Sequence, residues 1–215
     1  MKNKQEESDL WSEERRFWES GCTCICGADE AGAGPLAGPV YAAAVILPPG
    51  RLIPGLNDSK KLTEKKREAL YEIITAQAAA WSVARVEAAE IDEMDILNAR
   101  MLVMQRAIDG LSLRPELALI DGNRDHGSRY AIETPHCLIV GGDGKSASIA
   151  AASILAKVSR DRYVAEVLDK QYPQYQFAKH KGYGTKLHYQ MLDRYGPCPE
   201  HRETFLKKWE ARRRG

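Results

Sequence analysis

Four acidic residues stand where a reactive centre would need them. Asp29-Glu30, Asp121 and Asp143 each follow an apolar stretch, and each sits beside glycine: Gly27 and Gly32, Gly122, and Gly142 with Gly144. Glycine permits tight turns and close approach of a ligand to the backbone. In open α/β sheets, ligands collect at the carboxyl ends of strands, so these acids can form one cluster. Clustered carboxylates repel one another unless a cation neutralises them or one takes up a proton. An all-oxygen donor set suits Mg²⁺ or Mn²⁺. Nucleases commonly hold two such ions about 3.5–4 Å apart, one activating water and one stabilising the leaving oxygen. No Ser/His/Asp or Cys/His arrangement competes. There is no P-loop, and DEAGAGPLAG at 29–38 departs from the dinucleotide-binding glycine pattern.

Each acid also has a plainer reading when taken alone. Asp121-Gly122 reads as turn chemistry after a strand, and so does Asp143 in its run of glycines. Asp29 and Glu30 are adjacent, and neighbours on a regular strand point to opposite faces. Both reach one metal cluster only if the strand ends or bends between them.

The elements that must position these residues can be read from the apolar pattern and the breakers. Strands are expected over 21–28, 41–47, 81–87, 117–120 and 136–140. Thr63 is a good N-cap for a helix running to about Ala79. A long helix is expected over 90–109, where Leu97, Met101, Met104 and Ile108 keep helical spacing and Gly110 ends it. Further helices are expected over 146–168, 185–194 and 200–211. The order reads ββαβαβαβα followed by helices, an α/β sandwich with helices on both sheet faces.

Composition bounds the partners. The chain has 215 residues, 44% hydrophobic and 28% charged, an ordinary globular balance. Its net charge of +1 does not announce a nucleic-acid binder, so any polyanion site must come from local basic clusters. No apolar run approaches the roughly 18 residues of a membrane span, and residues 1–20 read as a charged helical lead-in without a signal-peptide core, so cytoplasmic residence is expected. Cys22, Cys24 and Cys26 alternate as if on one face of a strand, a poor match to zinc spacing. The odd total of five cysteines argues against disulfides.

Longer motifs carry a resemblance. GADEAGAGPLAGPV at 27–40 resembles the opening block of the ribonuclease HII family. The likeness continues with DSKKL at 58–62, LIDGN at 119–123, GGDGKSASIAAASILAKVSRDR at 141–162, HKGYGT at 180–185 and HRETF at 201–205. The blocks keep the family's order and approximate spacing over most of the chain.

The resemblance implies a ribonuclease H-like core over 21–170, with a mixed five-stranded sheet flanked by helices, and a helical C-terminal segment over 171–215 that contributes to substrate binding. It implies hydrolysis of RNA in RNA–DNA hybrids, and cutting on the 5′ side of single ribonucleotides embedded in DNA to leave 3′-hydroxyl and 5′-phosphate ends. The matching metal-binding and catalytic acids are Asp29, Glu30, Asp121 and Asp143, with Mg²⁺ or Mn²⁺ as cofactor. The Gly32-Ala33-Gly34 segment matches the loop whose backbone reads the 2′-hydroxyl, the group that separates RNA from DNA. Tyr183 matches the tyrosine that packs on the sugar at the RNA–DNA junction. Lys60, Lys61 and Lys181 are expected phosphate contacts. A monomer is expected, and a sliding-clamp contact is not readable.

Two positions depart from the family. Ala33 replaces the loop arginine, removing a bidentate phosphate contact, and Gly141 stands where many relatives have lysine. Besides the enzyme, these changes leave open a hybrid-binding protein with weakened junction recognition or catalysis. A DNA-directed nuclease of the same broad fold is the third reading. Asp161, between two arginines in a helix, is expected to form a surface ion pair.

Overall fold

The computed structural model describes residues 9–214 apart from 124 and 126. Residues 1–8 of the expected lead-in therefore lie outside the described residues. Five strands form one mixed sheet: β1 (Ile25–Ala31), β2 (Val40–Ile46), β3 (Ala80–Val86), β4 (Leu117–Asp121) and β5 (His136–Ile139), in spatial order β3-β2-β1-β4-β5. β1 pairs antiparallel with β2, and β2 with β3, whereas β1–β4 and β4–β5 are parallel. This is the expected mixed five-stranded sheet with helices on both faces and a helical C-terminal part.

On one face lie α3 (Ala88–Met94) and α4 (Ile96–Asp109), packed through Met101, Met104 and Ile108 onto Cys26, Ala28 and Ile120. The other face carries α2 (Glu64–Gln77) and α5 (Ala147–Tyr163), against Ala43 and Val45. α5 lies so close to β1 that Gly27 has no room for a side chain. A Cβ there would sit 2.2 Å from the backbone nitrogen of Ile149, far inside contact distance. The small residues Ala150, Ala151 and Ala152, all fully buried, match that close approach.

Several expectations change. The helix foreseen over 90–109 is two helices, because Asp95 takes a left-handed backbone (φ 74°) and caps α4 by accepting from Asn98 N at 2.9 Å. Among the described residues no helix lies between β4 and β5, so that part of the expected order is wrong. The connecting stretch is rich in glycine, proline and polar residues, which favour loops. Cys22 packs beside Ile25 and Leu119, whereas Cys24 and Cys26 pack on the α4 side. β1 starts only at Ile25, so the alternation does not place all three on one strand face. The cysteines are all free. No helix of the described residues is long and apolar enough to cross a membrane.

The lead-in forms α1 (Ser12–Trp18), which docks through a buried carboxylate. Glu14 Oε1 accepts from Ser146 Oγ at 2.6 Å and from Ser148 N at 2.9 Å, at the N-terminus of α5. A negative charge there satisfies free amides and meets the positive end of the helix dipole.

After α5 a π-helical turn (Val164–Leu168) leads to α6 (Asp169–Gln171), α7 (Phe177–His180), α8 (Lys186–Tyr195) and α9 (Glu203–Arg214). A directed hydrogen-bond chain ties this region together. Cys198 N donates to His201 Nδ1 at 2.9 Å, so His201 Nε2 carries the proton and donates to His188 Nε2 at 3.0 Å. His188 Nδ1–H then donates to the carbonyl of Tyr183 at 3.0 Å. Burial lowers the pKa of His188 to about 3 and of His201 to about 4. Both imidazoles are thus neutral when folded but titrate at about 6.5 when unfolded. The stability they contribute is complete above the unfolded value and is lost as pH falls from there toward 4 to 3. Acidification from about pH 7 to about pH 5 should therefore open the 183–201 region before the sheet. Amide hydrogen exchange, corrected for the intrinsic rate, checks this. Equal protection of those amides at both pH values would contradict it.

Candidate active site

β1 carries two of the acids, and it neither ends nor breaks between them. Asp29 pairs in register with Ala43 and Glu30 with Ala42, and the strand runs on to Ala31. The expectation that Asp29-Glu30 close the strand is corrected accordingly. The side chains take opposite faces, as strand geometry requires. Asp29 turns toward α5, where it accepts from Ser153 and from Glu30 N at 2.7 Å. Glu30 turns toward α4, where Oε1 accepts from Arg100 Nη2 at 2.6 Å. Beyond the sheet edge both still line one cleft of ≈ 200 Å³, with Gly32, Ser59, Lys60 and Tyr183.

Asp121 ends β4, the parallel neighbour of β1, and its Oδ1 accepts from Gly142 N at 2.7 Å. That bond joins the strand end to the short turn Gly142–Gly144 bearing Asp143, which is 5% exposed. Lys60 Nζ reaches Asp143 Oδ2 at 3.3 Å. Asp58, whose charge acts on Asp143, caps the turn at 59–61 by accepting from Lys60 N at 2.8 Å. Arg67 holds the same segment by donating to the carbonyls of Ser59 and Leu62.

The electrostatics are those of too many negative charges in too little water. Burial raises the pKa of Asp29 well above the carboxylate range, and the charges of Glu30 and Asp121 raise it further. Burial also raises Glu30, against the pull of Arg100, with Asp121 adding to the rise. Asp143 is raised by burial, with Lys60 opposing. Among the described residues, no three carboxylate, imidazole or thiol groups converge closely enough to make a ready-built metal cage. Arg100 and Lys60 instead hold the two outer acids. The donor set nevertheless suits a hard divalent cation. It is all oxygen and charge-frustrated, and Glu30 Oε2 is buried with no hydrogen-bond partner.

Two buried arginines shape the loop after β1. Arg202 donates to the carbonyls of Gly32 (2.7 Å), Ala33 (2.9 Å) and Gly38 (3.0 and 2.7 Å). Arg160 donates to Pro39, Ala37 and Lys181 carbonyls at 3.0–3.2 Å. Gly32 has φ 93°, and a Cβ there would fall 2.0 Å from Arg160 Nε. Glycine at this position is therefore required on both counts. The arginines thereby lock residues 32–39 to the C-terminal segment. Tyr183, 41% exposed, sits at that junction, with Lys157 Nζ and Arg160 Cζ each 5.8 Å from its ring centre.

Not every expected contact converges. Lys60 and Tyr183 line the cleft with Asp29, Glu30 and Gly32. Ala33 and Gly34 follow in the same loop. Lys61 lines a separate cavity beside Trp11 and pairs with Asp58 at 3.7 Å, and Lys181 Nζ turns to Glu64 at 3.9 Å. Asp161 does pair with Lys157, at 2.8 Å, but it is buried rather than on the surface. Sequence reasoning missed Arg100, and it quoted Ser153, Arg160 and Arg202 only within longer motifs, with no role. It quoted Asp58 only as part of DSKKL.

Comparison with known proteins bears on this geometry. The family model described as ribonuclease HII matches residues 26–211. A ribonuclease HII of Endomicrobium trichonymphae is 56% identical over 199 residues, covering 92% of this chain and 92% of the relative. The crystal structure of ribonuclease H2 from Pyrococcus horikoshii superimposes with a TM-score of 0.73 at 26% identity, covering 89% of this chain and 99% of the other. The structure of the PCNA:RNase HII complex from Archaeoglobus fulgidus gives 0.71 at 27% identity, covering 84% and 94%.

Proposed function

The chain belongs to the ribonuclease HII family, so it is a ribonuclease H, a divalent-metal-dependent hydrolase of RNA in RNA–DNA hybrids, and from that premise we propose that it cuts 5′ to single ribonucleotides embedded in duplex DNA. The observation that carries the reading is the cleft lined by Asp29, Glu30, Gly32, Lys60 and Tyr183, with Asp121 near enough to raise the pKa of Asp29 and Glu30 and hydrogen-bonded to the turn that bears Asp143.

Asp29, Glu30, Asp121 and Asp143 would hold the metal, Mg²⁺ or Mn²⁺. When bound, two such ions supply an activated water and neutralise charge on the scissile phosphate and the departing 3′ oxygen. The protein's own groups do the rest. Burial excludes water from the acids and strengthens their hold on a cation. The Asp121–Gly142 bond keeps β4 and the Asp143 turn in fixed relation. The Gly32–Gly34 backbone, with two of its carbonyls clamped by Arg202, is set to read a 2′-hydroxyl. Tyr183, supplied by the 171–215 segment, offers an exposed ring for the sugar at the junction. Lys60 would contact phosphate on leaving Asp143, and Lys61 and Lys181 would need to leave Asp58 and Glu64 to do the same. The chain acts as a monomer in this reading.

Ala33 makes the reading testable. Its carbonyl is held by Arg202 and its side chain brings no charge. Ala33→Arg should tighten binding of a duplex with one embedded ribonucleotide by roughly tenfold, the worth of one charge-assisted hydrogen bond. It should raise the preference for that duplex over a continuous hybrid. Binding and cleavage of the two substrates, with an all-DNA control, are the measurements. If Ala33→Arg shifts neither affinity nor preference, the missing loop arginine does not weaken junction recognition.

A further inference from the structure

The ion pair between Glu30 and Arg100 is incomplete at both ends. Arginine and carboxylate commonly meet through two parallel bonds. Here a single 2.6 Å contact joins Nη2 to Oε1. Glu30 Oε2 and Arg100 Nε are each buried and each lack a hydrogen-bond partner. Unsatisfied buried polar atoms are costly, so this contact is a compromise. Arg100 reaches the acid from the second turn of α4, and its side chain is 33% exposed against 12% for Glu30. It is therefore anchored at one end and open to solvent at the other.

We propose that Arg100 is a resident counter-ion of Glu30 that an incoming divalent cation displaces, releasing the guanidinium toward the phosphates of the substrate. This rests on Glu30 being a metal ligand, as read above. A cation approaching Glu30 meets Arg100 already there on Oε1, and the two like charges repel across one carboxylate. The orphaned Oε2 gives the cation its first foothold. The freed guanidinium remains beside the cleft, where a planar fork of donors suits a phosphodiester oxygen.

Calorimetric titration of Mn²⁺ into the metal-free protein tests the proposal without turnover. Arg100→Gln removes the competing charge and should bind Mn²⁺ at least about fivefold more tightly than the parent. Its metal-free Tm should fall, because Glu30 is left buried without a cation, and Mn²⁺ should raise that Tm by more than it does in the parent. Arg100→Lys keeps the charge and should keep the parent's metal affinity. At saturating metal, Arg100→Gln should raise KM for a hybrid duplex. Unchanged or weaker Mn²⁺ binding by Arg100→Gln, equal tightening by Arg100→Lys, or an unchanged KM would overturn the proposal. Glu30→Gln separates the two readings. If it binds Mn²⁺ like the parent, Glu30 is no ligand and the site reading falls together with the inference. If it binds more weakly while Arg100→Gln binds no more tightly, the counter-ion role alone is lost.

Discussion

Asp29→Asn should abolish cleavage and at the same time make the metal-free protein more stable. The loss of activity is expected to be about a thousandfold or more, equivalent to roughly 4 kcal/mol of transition-state stabilisation, the scale of losing a metal ligand. The gain in stability follows from the sign of the pKa shift. Burial, then Glu30 and Asp121, raise the pKa of Asp29 in the folded state. A carboxyl group with a raised folded pKa favours folding while it is protonated. Above the unfolded value near 3.9 it opposes folding, increasingly so until pH passes the folded value. At neutral pH the raised pKa is therefore a cost to the metal-free protein. Asn keeps the size and can still bond Ser153, but it carries no charge to desolvate. Each kcal/mol recovered should appear as about 2–4 °C in Tm for a chain of this size. Thermal unfolding in EDTA and a single-turnover cleavage assay together check the prediction. A variant that is inactive and less stable would mean that Asp29 is chiefly structural. One that keeps activity would remove Asp29 from the catalytic set.

Arg202→Met should cost stability and substrate binding together. The methionine fills much of the same volume but leaves the carbonyls of Gly32, Ala33 and Gly38 without their donors. Unsatisfied buried carbonyls cost about 1–3 kcal/mol each, less where water enters. A loss of about 3 kcal/mol, or roughly 6–12 °C in Tm, is expected. Part is offset because the native guanidinium is itself strained. Burial, and next the neighbouring Arg160, pull its pKa down to about 9. The loop held by Arg202 faces the 2′-hydroxyl in the proposed complex, so KM for a ribonucleotide-containing duplex should rise more than kcat falls. Steady-state kinetics well below the new Tm separates the two. Unchanged KM with lowered Tm would confine Arg202 to a structural role.

Much of this site could be read from residue types. Asp29-Glu30 stand out as two acids following an apolar stretch among glycines, whereas Asp121 and Asp143 taken singly read as turn chemistry and are singled out by the family motifs around them. The flanking helices and the Thr63 cap follow from local pattern, the mixed five-stranded sheet from the family resemblance, and Thr63 does accept from Lys66 N. What stayed hidden depends on contacts distant in sequence. Arg202 and Gly32 are 170 residues apart, and Arg160 and Pro39 are 121 apart. In a chain of net charge +1, an arginine within a charged helix or tail looks like a solvated surface residue. Only the folded loop shows that each serves backbone carbonyls. Arg100 was masked for a similar reason, since the α4 pattern reports only its apolar stripe. β1 runs past Asp29-Glu30 because β2 supplies partners as far as Tyr41, which local pattern cannot foresee. His188 and His201 have no metal-like spacing, and their hydrogen-bond chain exists only once α8 and the 198–201 turn pack together.

The central claim is that these acids cut RNA at a junction with DNA. The direct measurement uses three end-labelled duplexes: one with a single ribonucleotide in DNA, one continuous RNA–DNA hybrid and one all DNA. Each is incubated with the protein in Mg²⁺, in Mn²⁺ and in EDTA, with Asp29→Asn alongside. The account predicts metal-dependent cutting on the 5′ side of the lone ribonucleotide, leaving a 3′-hydroxyl and a 5′-phosphate. It also predicts cutting of the continuous hybrid, no cutting of DNA and no activity in the variant. Cutting of the hybrid alone would contradict junction recognition, and cutting of all-DNA duplex or survival of activity in Asp29→Asn would contradict the assignment of the site.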